Sequence, residues 1–373
     1  MLYPLSYGGG PWISLAHGGP PTVGAGWCPG GPGAHPRGMA HAEIHQDRGI
    51  DAGDLAVLSG RTIAVLGAGN QGAAQAANLR DSGLTPLVGN RDDEYAAAAR
   101  EQGFDVRPIA EAAAAADVVL LLVPDEVQPA LVRDEVAPGL GAGDTLVVAS
   151  GYDWHFGLLE VPEGVDVVMV APRMIGPAVR DRYVDRTGFP CFVSVERDAS
   201  GRAWDTTLAL ARAIGGTLGG AIVSSAREEA ALDLFSEQAV WPAIIDVLRT
   251  AHRIAVGAGF SEEAVLNELY LSAEPAEVFA HVARDGLFGQ LGLHSRTSQY
   301  GQLRALAALD EDGELAQRFA RVMHEDILSG AFAREWSRPE AGERLDALRR
   351  EVDATPLAVA EGEVRARVGA VRP

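Results

Sequence analysis

The segment TIAVLGAGNQGAAQAANLRDSG, residues 62–83, decides the fold of the first half of the chain. It begins with a short apolar run typical of a buried strand and ends with the alanine-rich composition of a helix. Between them, Gly67, Gly69 and Gly72 form the pattern G-x-G-x-x-G. In order, these glycines allow a tight turn, a close approach of the backbone to a pyrophosphate, and packing of the helix on the strand. The segment therefore predicts a dinucleotide site at the helix N-terminus, the alternative being a glycine-rich turn without a ligand.

Short apolar strands alternate with alanine-rich helices as far as about residue 225, and only helical patterns follow. The predicted strands are residues 62–66, 86–89, 117–123, 145–149 and 165–170, and the first predicted helix is residues 71–82. The later helical stretches are residues 228–256, 261–282, 299–308 and 314–329. Strands separated by helices indicate a parallel sheet with helices on both faces. The predicted fold is α/β, with an N-terminal Rossmann-type, doubly wound parallel sheet followed by an all-α C-terminal domain.

The predicted domain organisation has four parts. Residues 1–38 are rich in Gly and Pro, and we interpret them as a disordered extension or as an over-long start before Met39. Residues 39–222 are expected to form the NAD(P)-binding domain, and residues 223–335 an all-helical metal and substrate domain. Residues 336–373 are expected to form a C-terminal tail that is partly helical and partly frayed.

Composition excludes several classes of function. The chain has 373 residues, enough for two domains with separate cores. Its formal net charge of −20 argues against nucleic acid or an anionic membrane as a partner. We find no apolar run near the roughly 20 residues that cross a bilayer. Cys28 and Cys191 form neither a metal-type spacing nor a disulfide framework. We therefore expect a cytoplasmic protein without a membrane segment.

Asp233 and Glu237 stand four residues apart in the helical stretch REEAALDLFSEQ, residues 227–238. At that spacing both carboxylates leave the same helix face, here among apolar neighbours. Two carboxylates that face a protein interior are costly unless a cation neutralises them, and Mg²⁺ prefers oxygen ligands. The alternative is an acidic pair on a solvated helix face. Glu228 and Glu229 precede this pair, and they either help to orient the metal-binding carboxylates or are merely solvated.

The residues after the second predicted strand distinguish NAD from NADP. A carboxylate there would hold the ribose 2′-hydroxyl, but this chain has Asn90 followed by Arg91. Arginine suits a 2′-phosphate, whereas the acidic residues at 92–94 would repel it. The sequence favours NADPH and leaves NADH as the alternative.

Six segments carry a more specific signal, in this order along the chain: AEIHQD, VLGAGNQGAAQAANLRDSG, LVPDEVQ, VDVVMVAPR, REEAALDLFSEQAV and HSRTSQYG. Together they resemble the ketol-acid reductoisomerases, the Mg²⁺- and NADPH-dependent enzymes of branched-chain amino-acid synthesis. The resemblance runs from Ala42 to near Ser329, and without the extension the length is similar to the family's short form. It implies a knotted helical domain and a homodimer with a shared active site.

The resemblance implies a role for each matching residue. Arg91 would contact the adenosine ribose or its phosphate, and Ser295 would hold the carboxylate of a small 2-oxo or 2-hydroxy acid. Asp233 and Glu237 would bind Mg²⁺. The other cofactor-contacting residues would be Gly67, Ala68, Gly69, Asn70, Gln71, Gly72, Asp125, Glu126, Val127, Gln128 and Gly176.

Two candidate catalytic positions depart from the family's pattern. Ser150, in ASGY, stands where the family has a histidine, and Arg173, in APRMIG, stands where it has its catalytic lysine. Arginine keeps the positive charge but does not readily give up a proton. The chain contains no lysine that would take its place. Arg173 is instead expected to clamp a carboxylate or phosphonate group, or to polarise a carbonyl.

The two metal carboxylates that the family takes from the partner subunit are matched imperfectly. Alignment forward from AGFSEE places one on Glu268, and alignment back from Ser295 places the other on Glu274. Six residues apart, they would not share a face of an uninterrupted helix. A distorted turn before Pro275 would bring them together. Metal-binding and purely structural roles stay open for both residues.

Together these observations predict an NAD(P)H-dependent oxidoreductase similar to the ketol-acid reductoisomerases. Its expected substrate is a small Mg²⁺-chelated 2-oxo or 2-hydroxy acid such as acetolactate. Moving an alkyl group between neighbouring carbons needs two metal ions, whereas hydride delivery mainly needs the nicotinamide and a polarised carbonyl. Reduction is therefore expected to survive the altered residues, and isomerisation stays open. The alternatives are reduction of another ketone or an imine without isomerisation, and a non-catalytic NADP-binding dimer.

Overall fold

The structure is a computed structural model that describes residues 42–46, 53–310 and 313–368. The extension expected at residues 1–38 lies outside the described residues. The described part has one nine-stranded sheet, and only helices and turns follow the last strand. The strands are β1 Ile44–His45, β2 Ile63–Leu66, β3 Leu87–Gly89, β4 Asp105–Arg107, β5 Val118–Leu121, β6 Thr145–Val148, β7 Asp166–Pro172, β8 Cys191–Arg197 and β9 Ala221–Val223.

Six strands run parallel in the order β4-β3-β2-β5-β6-β7. β2, β5, β6 and β7 are buried at every residue, because both faces of the sheet are covered. The strand order changes direction between β2 and β5. Ligands of such sheets bind beyond the carboxyl ends of the strands at this switch point.

Three further strands extend the sheet beyond β7 with mixed directions. β8 pairs antiparallel with β7, β9 parallel with β8, and β1 antiparallel with β9. The predicted α/β fold is confirmed, and this mixed edge is an addition that the sequence did not predict. β1, β9 and also β4 have only two or three residues, and β8 ends in partly exposed polar residues. None of them carries the continuous apolar run that identifies a buried strand.

Helices cover the two faces of the sheet. One apolar cluster contains Leu79, Val168 and Ile214, and the cluster on the other face contains Leu66, Leu121 and Met169. The helices of this half are α1 Asn70–Asp81, α2 Glu94–Glu101, α3 Ile109–Ala114, α4 Gln128–Leu131, α5 Tyr152–His155, α6 Gly176–Val184, α7 Ala203–Ile214 and α8 Gly216–Gly219.

The second half consists of helices, as the sequence predicted. They are α9 Ala226–Phe235, α10 Trp241–Gly257, α11 Glu262–Leu266, α12 Glu274–Asp285, α13 Arg296–Leu306, α14 Glu314–Arg321, α15 Ala331–Trp336, α16 Ala341–Asp353 and α17 Pro356–Val368. α9 and α10 are joined by a π-type turn, Ser236–Val240, in which the Trp241 amide donates to the carbonyl oxygen of Ser236. Such turns are frequent at functional sites. None of the helices in the described ranges has the length and apolar character needed to cross a membrane.

A third apolar cluster joins the sheet to the helical half. It packs Tyr152 of α5 with Leu234 of α9, and Ile327 and Ala333 from later helical segments complete it. Because α5 follows β6 directly, this cluster holds α9 near the carboxyl ends of the central strands.

Candidate active site

The turn between β2 and α1 carries the three glycines that the sequence predicts to bind a pyrophosphate. Gly67 has a φ of +95°, and a Cβ there would lie 2.6 Å from the carbonyl oxygen of Leu122. A Cβ on Gly72 would lie 1.7 Å from the carbonyl oxygen of Gly67, so only glycine fits. A Cβ on Gly69 would meet no protein atom within 4 Å. The packing of the chain therefore requires the first and third glycines, while the second has open space beside it.

Neighbouring segments hold this turn in place. The Ala68 amide donates to Oδ1 of Asn90, which follows β3, at 2.9 Å. The Gln71 side chain donates to a backbone carbonyl just before α6 at 2.8 Å. A Cβ on Gly176, at the start of α6, would lie 2.3 Å from the carbonyl oxygen of Asn70. The structure thus brings residues 67–72 and Gly176 together at the carboxyl edge of the sheet.

Arg91 lies on the outer side of this region, where its side chain is 84% exposed. Its Nε donates to Oδ2 of Asp93 at 2.8 Å. Asp93 also caps α2, since its Oδ1 accepts from two amides of the first turn. The hydrogen bond from Arg91, followed by those amides, lowers the pKa of the Asp93 carboxyl. Arg91 is therefore available to a ligand but already paired with one carboxylate.

Residues 125–128 form a turn after β5 that reaches from the cofactor region towards α9. The buried Gln128 side chain donates to the carbonyl oxygen of Val123 at 2.9 Å and to Oδ1 of Asp125 at 3.1 Å. Burial, followed by the charges of Glu126 and Asp233, raises the pKa of Asp125 to about 6. Residues 126 and 127 are exposed. This turn therefore links the predicted cofactor residues to the acidic helix.

Arg173 follows β7 and contacts two carboxylates of α9. Its Nη1 donates to Oε1 of Glu229 at 2.9 Å, and its Nη2 lies 3.6 Å from Oδ1 of Asp233. The guanidinium carbon lies 5.1 Å from the ring centre of Phe192. The Glu229 side chain is 1% exposed, and its second oxygen accepts from the Gly151 amide at 2.6 Å. One guanidinium and two carboxylates therefore meet beyond β6 and β7.

Asp233 and Glu237 lie where α9 passes into the π-type turn. Burial and the charges of Asp233 and Asp125 raise the pKa of Glu237, and Arg173 opposes this effect. Carboxylates outnumber the single guanidinium here, so a cation held through oxygen fits the charge and the donor chemistry. Within the described ranges, no group of three or more Asp, Glu, His or Cys side chains is placed to hold a metal ion. A Mg²⁺ ion at this pair would therefore need further oxygen donors from substrate, water or a second subunit.

The remaining predicted residues lie outside this cluster in a single chain. Ser150 accepts a hydrogen bond from the Tyr152 amide at 3.3 Å, so its hydroxyl faces the backbone. Ser295 is exposed and caps α13. Glu268 and Glu274 are exposed, and the helix is interrupted between them. In the described part of the chain, no hydrogen bond or ion pair connects these four residues to Arg173, Asp233 or Glu237.

Two buried acids of the site were not predicted as functional. The sequence left undecided whether Glu229 assists the acidic pair or is solvated, and the structure buries it against Arg173. Its spacing of four residues from Asp233 was the sequence signal that both lie on one helix face. Asp153 of α5 is 3% exposed. Burial, followed by the charges of Asp125 and Glu126, raises the pKa of Asp153 to about 7. No sequence signal identified Asp153, because its burial arises from packing against distant helices.

Rossmann-type enzymes are built in this way, with the cofactor turn at the switch point and the reacting groups beyond the carboxyl ends of the strands. By class, the chain is an NAD(P)-dependent oxidoreductase. Its residues 57–220 match the family model described as acetohydroxy acid isomeroreductase, NADPH-binding domain. Residues 227–369 match the model described as ketol-acid reductoisomerase, C-terminal domain. The chain belongs to the ketol-acid reductoisomerase family, which confirms the resemblance found in the sequence.

Known proteins are similar to this chain over most of their length. "Putative ketol-acid reductoisomerase 3" of Saccharolobus solfataricus is 41% identical over 296 residues, covering 78% of this chain and 88% of that protein. "Ketol-acid reductoisomerase (NADP(+))" of Methanopyrus kandleri is 38% identical over 313 residues, covering 82% and 93%. The solved structure of an NADH-preferring ketol-acid reductoisomerase from an uncultured archean has a TM-score of 0.80 and 32% identity. That match covers 87% of this chain and 98% of that one.

Proposed function

We propose that this protein uses NADPH to reduce a small 2-oxo or 2-hydroxy acid chelated to Mg²⁺. The proposed substrates are acetolactate or its rearranged isomer, in branched-chain amino-acid synthesis. The observation that carries the proposal is the meeting of Arg173, Glu229 and Asp233 at the carboxyl edge of the sheet. The cofactor turn lies along the same edge, so these groups are placed to act on a substrate beside the nicotinamide.

Asp233 and Glu237 are the side chains that we propose to hold Mg²⁺. Asp233 lies near the end of α9 and Glu237 in the π-type turn that follows it, and their mutual repulsion is of the kind that a bound cation relieves. Glu268 and Glu274 of a second copy are proposed to add ligands, and Ser295 to hold the substrate carboxylate. A Mg²⁺ ion bound there would supply a Lewis acid that polarises the ketone oxygen.

Arg173 supplies a fixed positive charge next to this pair. Its bond to Glu229 sets the orientation of the guanidinium, and donors remain on the side that faces Asp233. It can therefore bind the substrate carboxylate or carbonyl oxygen, but it cannot act as a proton donor. The Ser150 oxygen accepts a hydrogen bond from the Tyr152 amide, and a serine hydroxyl lacks the titratable ring nitrogens of the histidine that the family has there. These features favour reduction over migration of an alkyl group.

The proposed assembly is a homodimer that shares its active sites. Large apolar side chains are exposed on the helical half, among them Ile245 at 61%, Ile254 at 60% and Phe260 at 65%. Apolar patches of this kind mark interaction sites. A second copy that covers them would also bring new donors to Asp233. We place this dimer in the cytoplasm, with residues 39–222 as cofactor domain, 223–335 as metal and substrate domain, and 336–373 as tail.

Oxidation of NADPH by the purified protein, with 2-oxo acids and either Mg²⁺ or a chelator, tests the proposal. We expect turnover that requires Mg²⁺ and that Asp233→Asn abolishes. Asp246→Asn is the matched control, because the Asp246 side chain is half-exposed and pairs locally with Arg249. Turnover that persists in chelator and in Asp233→Asn would favour reduction of another ketone or an imine. Binding of NADPH without turnover on any such acid would favour the non-catalytic dimer.

A further inference from the structure

Asp153 is a buried carboxyl group in the site whose function the cofactor and metal residues do not explain. It lies in α5, three residues after Ser150, where the chain leaves β6. Its side chain is 3% exposed, and its Oδ2 has no hydrogen-bond partner among the described residues. The hydroxyl of the adjacent Tyr152 is also buried and without a partner there. An unpaired buried polar group costs about 1–3 kcal/mol, so two neighbouring ones indicate that both face a polar ligand.

Both residues line a cavity of about 580 Å³. The turn after β5 forms one wall through Asp125 and Glu126, and the start of α16 forms the opposite wall. Since the same turn carries predicted cofactor residues, the cavity adjoins the place where the nicotinamide is expected. It is large enough for a small acid, since ligand pockets start at about 300 Å³.

The charges around Asp153 favour its protonated form. Asp125 and Glu126 face it from the turn after β5, and Asp346 lies farther out on α16. Arg338 is the one cation that lines the cavity in the described part of the chain. Arg173 donates to Glu229 and its other edge faces Asp233, so these two carboxylates, and not Asp153, balance its charge. Burial and these carboxylates raise the pKa of Asp153 to about 7.

We propose that Asp153 is the acid that protonates the substrate oxygen during reduction, a role that rests on the reductase function proposed above. Neither altered family position readily does this, because a guanidinium does not readily give up its proton and a serine hydroxyl is a far weaker acid than a carboxyl group. Asp153 is the buried carboxyl group with an unpartnered oxygen within the described residues, and it opens on the cavity.

The proton balance of the step is complete with NADPH as reductant. Bound NADPH would supply the hydride: the C4–H bond of its nicotinamide would break with its electron pair, a C–H bond would form at the substrate carbonyl carbon, and the carbonyl π electrons would move to oxygen. The O–H bond of the Asp153 carboxyl breaks and a new O–H bond forms on the substrate oxygen. Asp153 is left as a carboxylate, and water entering the cavity restores its proton. The substrate becomes an alcohol and the cofactor becomes NADP⁺.

The test compares Asp153→Asn with wild-type enzyme over a range of pH. Asparagine keeps the size and removes the transferable proton, so we expect kcat to fall about 10²–10⁴-fold. Wild-type kcat should decline as pH rises through about 7, because only the protonated acid is active. The variant should lack that decline, and its dissociation constant for NADPH should be unchanged. Asp205→Asn, the same change at an exposed residue of α7 that does not line the cavity, should behave as wild type.

Infrared difference spectra give a second readout that does not need turnover. Wild-type protein at pH below 7 should show a protonated-carboxyl band that Asp153→Asn lacks and that disappears through neutral pH. Absence of this band from the wild-type spectrum overturns the proposal even if the variant does not fold and cannot be assayed. Activity of Asp153→Asn equal to wild type, with an unchanged pH profile, also overturns it. A wild-type band without turnover on any 2-oxo acid refutes the reductase function itself, and this role with it.

Discussion

Arg173 sets the charge balance of the site. A guanidinium presents several N–H donors in a fixed plane, so it can bond Glu229 while its other edge faces Asp233. An ammonium in the family's usual position would instead be a single mobile charge with a transferable proton. An arginine in place of a lysine therefore removes a transferable proton and adds a planar group whose orientation is fixed. The sequence predicted the loss of a transferable proton at residue 173, but the partner Glu229 became identifiable only from the fold.

Glu229→Gln should destabilise the protein by about 2–3 kcal/mol, because it leaves Arg173 without its buried counter-charge. Urea unfolding measures this change, and the double variant with Arg173→Met should lose less than the sum of the two single losses. Glu228→Gln is the control, since Glu228 is the exposed neighbour and should change stability by less than about 0.5 kcal/mol. An unchanged unfolding free energy in Glu229→Gln would mean that Glu229 is already neutral.

Asp93→Asn should strengthen binding of NADPH relative to NADH. Asparagine can still cap α2, but it removes the charge that pairs with Arg91 and that would repel a 2′-phosphate. For an exposed pair we expect roughly a threefold to fivefold change at low salt, smaller at high salt. Fluorescence titration with both cofactors measures the ratio. Arg91→Met should shift it the other way, and an unaltered ratio in both variants would place the 2′-phosphate elsewhere.

At the scale of elements, the turn between β2 and α1 was predictable because its determinants are local. Each glycine role depends on the conformation of six successive residues and on contacts with the next strands. The π-type turn after α9 was not predictable, since the 228–256 pattern was read as one regular helix. Tertiary packing around Leu234 and Phe235 decides where that helix changes its hydrogen bonding.

Gly69→Ala and Gly72→Ala should separate binding from folding in this turn. Alanine at 69 meets no protein atom, so stability should hold while affinity for NADPH falls at least about tenfold, about 1.4 kcal/mol. Alanine at 72 would collide with the Gly67 carbonyl and should destabilise the fold itself. Calorimetry with and without NADPH measures both effects. Normal NADPH affinity in Gly69→Ala would mean that the pyrophosphate does not approach this glycine.

For the whole molecule, periodicity predicted the order of sheet and helices because each element carries its own pattern. It did not predict that Asp125, Asp153 and Asp233 would influence one another, because they follow different elements that only the fold brings together. The exposure of large apolar side chains on the helical half is likewise visible only in the folded chain. These side chains support the proposed homodimer, in which a second copy would cover them.

Light scattering should give a mass of twice the 39.1 kDa of the chain. Ile254→Glu and Phe260→Glu should dissociate this dimer, because each places a charge in a buried apolar interface. Val184→Glu, a change at a 60% exposed apolar residue of α6, should leave the mass unaltered. If the site is shared, the dissociated variants should also lose Mg²⁺-dependent turnover. A monomeric wild type with full activity would exclude the shared site.

The central claim is that reduction is retained while the carbon migration is impaired. The most direct measurement compares NADPH oxidation with acetolactate and with its rearranged 3-hydroxy-2-oxo isomer, both in Mg²⁺. We expect the rearranged acid to be reduced at least about tenfold faster, a barrier difference of ~1.4 kcal/mol. Equal rates with the two acids would contradict impaired migration, and no oxidation with either would contradict the reductase itself.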